Sequence, residues 1–349
     1  MPDRVDWIPA SKATAPLFAG VDLGGTNIKV GLVDDEGRTL AFHTEPTRVA
    51  NGPDDVCRRM GAAVLTVARM AGVEPTAIAR VGLGTPGPQD LRAGTIIRAG
   101  NLPRFDGYPV RDAVSRACGL PVTFSNDATA AGFGEFWIGS AREFGSSVLL
   151  TLGTGVGGGI VIDGQPLEGA HSHGAECGHN LVDPSPGARL CPCGKTGHLE
   201  AYGSATALKR RAAEVLAGGA AGSLARAVAD GAELTPILVA REAEAGDPVA
   251  MDLILEVARW LGIGIVTLMH TIDPDAVLLG GAMTFGGEAH PVGARFIERI
   301  RAEVRDRTFP LLAERTAIRF ALLGGDAGYV GAAGIARVEF RRSAHQSTG

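Results

Sequence analysis

Twice along this chain a buried apolar run breaks at a glycine turn and doubles back as a second strand. The first instance is Leu17–Leu23, the turn Gly24-Gly25-Thr26 and a return over residues 27–34. The second is residues 147–152, a glycine turn from Gly153-Thr154-Gly155 to Gly159, and a return over 160–163. Met once, such a turn reads as an ordinary β-hairpin. Met twice, each time followed by further strand and helix, it predicts a duplicated α/β architecture rather than a linear solenoid. The two halves are expected to form lobes that face each other across a cleft.

The rest of the chain fills in around this repeat. A third strand is expected over 38–43, and a helix over 54–71 with Val56, Met60, Val64 and Val67 on one face. A buried strand over 78–84 runs into Gly84-Thr85-Pro86-Gly87, and a strand over 121–124 precedes a helix over 128–137. Several helices follow residue 200, the longest over 249–270. Strands over 276–279 and 318–323 end in Gly280-Gly281 and Gly324-Gly325, before a last helix over 327–340. The expected organisation is a loose or disordered arm over 1–15, a small α/β lobe of 16–124 plus 326–349, and a large α/β lobe of 125–325.

Composition removes several function classes. With 45% hydrophobic and 20% charged residues, the 349-residue chain can bury a core. The formal charge of −5 and the lack of a basic block argue against a nucleic-acid partner. No leader is expected in the first fifteen residues, and no apolar run reaches a membrane span. Five cysteines, an odd number, point to a reducing cytoplasm rather than a disulfide framework. The 50 glycines cluster as GG, GTG and GGG, a pattern of ligand loops rather than low complexity.

Glycine turns let backbone N–H groups approach an anion closely. In the first turn Thr26 adds a hydroxyl, and Asp22 a carboxylate that could hold Mg²⁺ through water. Gly153-Thr154-Gly155 repeats the arrangement. Neither turn is a Walker A loop, since no Gly-Lys-Ser/Thr follows. Neither is a Rossmann fingerprint, since the first leads into a strand.

Between residues 179 and 200, His179, Cys191, Cys193 and His198 supply a tetrahedral His₂Cys₂ set in a proline- and glycine-rich loop. Other completions remain open: His171 or His173, Cys177, or a loop held by packing without metal. Four protein ligands leave no open position for water, so a zinc ion here would be structural. Glu176 and Glu200 flank this loop. Taken singly they read as exposed carboxylates; beside a clamp they become fixed. Asp127 lies at the carboxyl end of a strand, where α/β proteins place ligands, and in Ser125-Asn126-Asp127 it could equally be a helix cap.

The motifs Asp22-Leu-Gly-Gly-Thr-Asn-Ile-Lys29, Asn126-Asp127 with Ala130-Ala131 and Gly134-Glu135, Gly153-Thr-Gly155, Glu176-Cys-Gly-His179 and Cys191-Pro-Cys-Gly194 resemble, in this order, those of the ROK family of sugar kinases and repressors. The resemblance spans about residues 16–340. It implies the actin/hexokinase-like (ribonuclease H-like) duplicated fold and ATP with Mg²⁺ as phosphoryl donor. It implies Asp127 as the base that takes a proton from a hexose 6-hydroxyl. The sugar-binding ring it implies is Asn101, Asn126, Asp127, Glu176, His179 and Glu200, with Gly84 and Thr85 in the wall. It assigns the nucleotide to Asp22, Gly24, Gly25, Thr26, Lys29, Gly153, Thr154 and Gly155, with Gly280 and Gly281 bordering the adenosine.

The family usually has cysteine where this chain has His198. An imidazole reaches farther than a thiolate, so the loop must shift or the ligand tilt. The segment Asn101-Leu-Pro and the knuckle resemble the glucose-phosphorylating branch of the family, which implies glucose as the hexose. N-acetylmannosamine, N-acetylglucosamine and fructose are the alternatives, as is polyphosphate as donor. A sugar-sensing repressor is the reading of another class, but only 21 residues precede Asp22, too few for a helix-turn-helix domain. The long helix over 249–270 has apolar surface beyond one core's needs, which suits a homodimer.

Overall fold

The computed structural model describes residues 7–346. Strands β1 (Leu17–Leu23), β2 (Asn27–Val33) and β3 (Thr39–Pro46) come first, then α1 (Pro53–Ala71) and β4 (Ile78–Thr85). A short ribbon of β5 (Gln89–Asp90) and β6 (Thr95–Ile96) leads to α2 (Val110–Cys118), β7 (Val122–Asn126) and α3 (Asp127–Trp137). The pattern restarts with β8 (Ser146–Leu152), β9 (Val156–Ile162) and β10 (Gln165–Pro166). Helices α4 (Glu200–Gly203), α5 (Ala205–Ala217), α6 (Ser223–Ala229), α7 (Pro236–Glu244) and α8 (Pro248–Ile272) follow. The chain closes with β11 (Ala276–Gly281), α9 (Pro291–Arg307), α10 (Pro310–Arg315), β12 (Ala317–Phe320) and α11 (Ala327–Gln346).

The duplication shows in the strand order. One five-stranded sheet runs β3-β2-β1-β4-β7 and the other β10-β9-β8-β11-β12. Each has a three-strand meander on one side and two strands reached by crossovers on the other. In the first sheet β1 pairs antiparallel with β2 and parallel with β4, and β4 pairs parallel with β7.

Two compact units are resolved. The first holds residues 7–147, 159–175 and 321–346, and the second holds 148–158 and 176–320. The expected boundary at residue 125 is therefore displaced, because α3 packs on α11. A Cβ at Gly331 would overlap the Ala130 carbonyl, and one at Gly134 would overlap that of Ala327. Small residues on both helices let the backbones approach closely.

Side-chain alternation along β1 decides what each residue can do. Leu17, Ala19, Val21 and Leu23 join the core formed with α1 and α2, including Val56, Met60, Val64 and Val114. Phe18 points the other way, into a cluster with Tyr329, Val330 and Ala333 of α11. Gly20 and Asp22 share that second face: a Cβ at Gly20 would meet Tyr329, and Gly328 lies against the Asp22 carboxyl. Phe18 and Tyr329 are fully buried, each worth about 1.5–3 kcal/mol.

Three expectations change. The arm is not loose where it is described: Ile8 N–H donates to the Thr39 carbonyl (3.0 Å) and Thr14 N–H to Asp34 Oδ2 (3.1 Å). Residues 1–6 lie outside the described residues. The return strand β9 begins at Val156 rather than 160, with Gly157–Gly159 inside it; a Cβ at Gly159 would overlap the Ala128 carbonyl of α3. Strand β12 ends at Phe320, not 323, because the N–H groups of Leu322 and Leu323 donate to Glu135 instead of a neighbouring strand. Among the described residues no helix is long and apolar enough to cross a membrane.

Candidate active site

In the first unit the site residues gather at the carboxyl ends of β1, β4 and β7. Asp22 stands beside Gly84, and Gly84 beside Ser125, in parallel register. Thr85 stands beside Asn126 in the same way. Three adjacent parallel strands thus end together, the position where open α/β sheets bind ligands.

The strand–helix junction separates two polar residues with different duties. Asn126, the last residue of β7, is the cap of α3: its Oδ1 accepts from Ala128 N–H (2.8 Å) and Thr129 N–H (3.3 Å). Its Nδ2 donates to the Gly87 carbonyl at 3.4 Å. Asp127 is the first helical residue, with Oδ1 accepting from Ala128 N–H at 2.8 Å. The capping role is therefore filled by Asn126. A carboxylate in the first turn also meets the positive end of the helix dipole, so Asp127 sits where its anion is favoured.

The first glycine turn is braced from both sides. Thr47 donates its hydroxyl to the Gly24 carbonyl (2.6 Å), and its N–H donates to the Thr26 carbonyl (2.8 Å). Exposed Asn101 lies against Gly25, where a Cβ would come 3.2 Å from its Nδ2. Lys29 pairs with Asp22 across the hairpin and donates its ammonium to the Gly325 carbonyl (2.8 Å). Burial pushes the Asp22 carboxyl above its ordinary range, and the Lys29 charge opposes that rise. Thr85 is buried, its hydroxyl and carbonyl accepting from Gln89 Nε2 at 2.7 and 2.8 Å.

The second unit holds the other glycine turn and the Cys–His loop. Ala205 N–H donates to the Gly153 carbonyl (2.9 Å), and the Thr206 hydroxyl to the Thr154 carbonyl (2.7 Å). Gly281, at φ +90, lies on Leu152 just before the turn; a Cβ there would overlap the Leu152 backbone. Gly280 precedes it as a strand residue of β11.

The ligand atoms of His179, Cys191, Cys193 and His198 all lie within 4.8 Å of one another. Cys193 Sγ is 3.2 Å from His198 Nδ1, and Cys191 Sγ is 3.8 Å from His179 Nδ1. Zinc bonds of about 2.0–2.3 Å at a tetrahedral angle put neighbouring ligands about 3.3–3.8 Å apart. The four donors are of the types zinc takes, and the pairs Cys193–His198 and Cys191–His179 have about the spacing a zinc ion imposes. Among the described residues His171, His173 and Cys177 are outside the cluster. Burial and the neighbouring His179 hold the His198 imidazole below its ordinary range, which favours the neutral ligand form. Burial pushes the Cys177 thiol up to about 12, marking it as an inert core group.

Glu176 and Glu200 each reach a different residue of this loop. His179 turns Nδ1 to Cys191 and Nε2 toward Glu176 Oε2, 3.9 Å away. Glu200 Oε1 lies 3.7 Å from Cys191 Sγ, and its Oε2 accepts from Val156 N–H at 3.0 Å. Tyr202 stacks on Trp260 with ring centroids 4.1 Å apart, which makes Trp260 a packing residue.

Two residues gain roles that sequence reading did not give them. Glu135, fully buried, accepts from Ser140 N–H and hydroxyl (both 2.9 Å), Leu322 N–H (3.0 Å) and Leu323 N–H (2.6 Å). It stood in a motif, but its partners are far away in the chain. Thr206 had no sequence signal at all.

The chain belongs to the ROK family, whose profile matches residues 18–339. It is 34% identical to a glucokinase of Thermotoga maritima, over 90% of this chain and 96% of the relative. Its structure resembles a ROK hexokinase from Thermus thermophilus with a TM-score of 0.78 and 34% identity, covering 93% of this chain and 99% of that one. It also resembles a ROK glucokinase from Streptomyces griseus solved with glucose and AMPPNP, with a TM-score of 0.70 and 34% identity, covering 92% and 99%.

Proposed function

We propose that this chain is a glucokinase-type hexose kinase that transfers the γ-phosphoryl group of ATP to the 6-hydroxyl of glucose. The observation that carries this reading is the likeness to glucokinases across nine-tenths of the chain, including one solved with glucose and AMPPNP. The carboxylate at the head of α3 supports it.

In this reading Asp127 accepts the proton of the sugar 6-hydroxyl. The oxygen–phosphorus bond forms as the bridging oxygen of the γ-phosphoryl group leaves with ADP. Asn126 holds the helix N-terminus, and so Asp127, in place. In the first unit Asn101, Asn126, Asp127, Gly84 and Thr85 belong to the sugar; in the second, Glu176, His179 and Glu200. Polar groups placed for each hydroxyl reject sugars that lack one, because the groups are left unpaired. Gly24 and Gly153 close the two turns, their N–H groups donating to the Asn27 and Gly155 carbonyls, and Gly25, Thr26, Thr154 and Gly155 offer N–H groups and hydroxyls to the phosphates. Asp22 and Lys29 flank the first turn, and Gly280 and Gly281 border the adenosine. Bound Mg²⁺ would supply charge compensation on the phosphates, and Asp22 is the carboxylate that would hold it through water.

A substrate panel tests the hexose. Glucose is expected to give the highest kcat/KM, above fructose and the N-acetylhexosamines. Clear turnover of an N-acetylhexosamine with negligible turnover of glucose would overturn the choice of sugar.

A structural zinc held by His179, Cys191, Cys193 and His198 belongs to the same proposal. Purified protein is expected to carry zinc at a ratio near unity. His198→Ala should weaken zinc retention against a competing chelator by more than the about 10–100-fold that losing a ligand's hydrogen-bond partner costs. Equal retention by the variant and the parent would exclude His198 as a ligand.

The five unpaired cysteines suit a reducing cytoplasm. A homodimer is part of the proposal as well. Phe309, 70% exposed with its ring edge-on to His270 of α8, is an apolar patch that a second copy would cover.

A further inference from the structure

Glu200 does something that a sugar-binding carboxylate need not do. Of its two oxygens, Oε1 faces the sulfur of Cys191 (3.7 Å) and Oε2 accepts the N–H of Val156 (3.0 Å). Val156 is the residue directly after the turn Gly153-Thr154-Gly155. The contact leaves no room between them: a Cβ on Gly155 would overlap Oε2. Gly155 is not among the glycines with positive φ, so no left-handed backbone calls for glycine there. A side chain at this position would push the Glu200 carboxylate off the turn. The side chain is half-buried and heads the four-residue helix α4, whose next residues Ala201 and Tyr202 pack with Cys191. From that same segment Ala205 and Thr206 bond to the carbonyls of Gly153 and Thr154. The turn thus hangs from the segment that follows the Cys–His loop, and Glu200 contacts both the loop's sulfur and the turn's backbone.

We propose that Glu200 is a positioning residue through which the Cys–His cluster sets the Gly153-Thr154-Gly155 turn for the nucleotide phosphates. The proposal rests on the reading of that turn as a phosphate loop. It extends the brace formed by the metal loop from the sugar-binding side to the phosphoryl donor. A carboxylate accepting a backbone N–H is a strong, directional hold. Its loss frees a turn whose glycines have little preference of their own.

The test is calorimetric binding of AMPPNP with Mg²⁺, in the absence of sugar, to the full-length zinc-loaded protein and its variants. Glu200→Ala and Gly155→Ala should each weaken AMPPNP binding about tenfold, the loss of one charge-assisted hydrogen bond. The double variant should be no weaker than the poorer single one, since both changes break the same contact. Glu200→Gln keeps a carbonyl oxygen for Val156 N–H and should stay within about threefold of the parent. This variant also serves if the alanine variant does not fold. Wild-type protein stripped of zinc should weaken like Glu200→Ala, with zinc content measured on the same sample.

If Gly155→Ala weakens AMPPNP binding while Glu200→Ala leaves it unchanged, the positioning role is overturned and the phosphate loop stands. If neither Gly155→Ala nor Thr154→Ala alters AMPPNP binding, the phosphate reading of the turn itself fails, and the proposal with it.

Discussion

Asp127→Asn is expected to lower kcat by about a hundred- to ten-thousand-fold, the range for loss of a general base, with the KM for glucose little changed. An amide has nearly the shape of a carboxylate and can still bond to a sugar hydroxyl, but it cannot take the proton. The neighbouring position supplies the control. Asn126 is the cap of α3, with Oδ1 shared between Ala128 N–H and Thr129 N–H. Asn126→Ala should cost about 1 kcal/mol of stability and weaken sugar binding, with a smaller loss in kcat. Steady-state kinetics on both variants separates the roles. If Asp127→Asn retains near-parental kcat, the proton goes elsewhere and the assignment of the base is wrong.

Glu135→Ala is expected to cost about 3–5 kcal/mol and to lower Tm by about 4–7 °C. The carboxylate is fully buried and accepts hydrogen bonds from Ser140 N–H, Ser140 hydroxyl, Leu322 N–H and Leu323 N–H. Truncation takes this acceptor from Leu322 N–H and Leu323 N–H, at about 1–3 kcal/mol each and less than additively. Glu135→Gln should fall between, because its NH₂ faces a donor in place of one oxygen. The damage should reach the nucleotide side too. Leu323 leads into the turn at Gly324–Asp326, where the Gly325 carbonyl receives Lys29 opposite Asp22. Thermal melting measures the first effect. A Tm within about 2 °C of the parent would show that the buried carboxylate is not an anchor.

The legible part of this protein was periodic or clustered in sequence. The strand–turn–strand repeat at 17–34 and 147–163 gave the duplicated fold, because apolar runs and glycine turns are local signals. The quartet His179, Cys191, Cys193 and His198 was legible because metal-binding residue types crowd into a short loop. The helix cap was not. Ser125, Asn126 and Asp127 can each cap, and the choice depends on where β7 stops, two residues past its expected end. Glu135 was not legible as an anchor, since its partners lie 187 and 188 residues away. The same holds for Glu200 and Val156, 44 residues apart and joined by a contact that neither segment announces. A backbone N–H leaves no mark on residue type at the donating end, so these contacts are silent in the sequence.

Incubation of the purified protein with Mg²⁺, ATP and glucose, followed by NMR of the phosphorylated sugar, tests the central claim most directly. The account predicts stoichiometric ADP and glucose 6-phosphate, with the phosphorus coupled to carbon 6, and loss of both products in Asp127→Asn. Phosphate on another carbon, or no sugar phosphate from glucose in protein that binds both ligands, would contradict it.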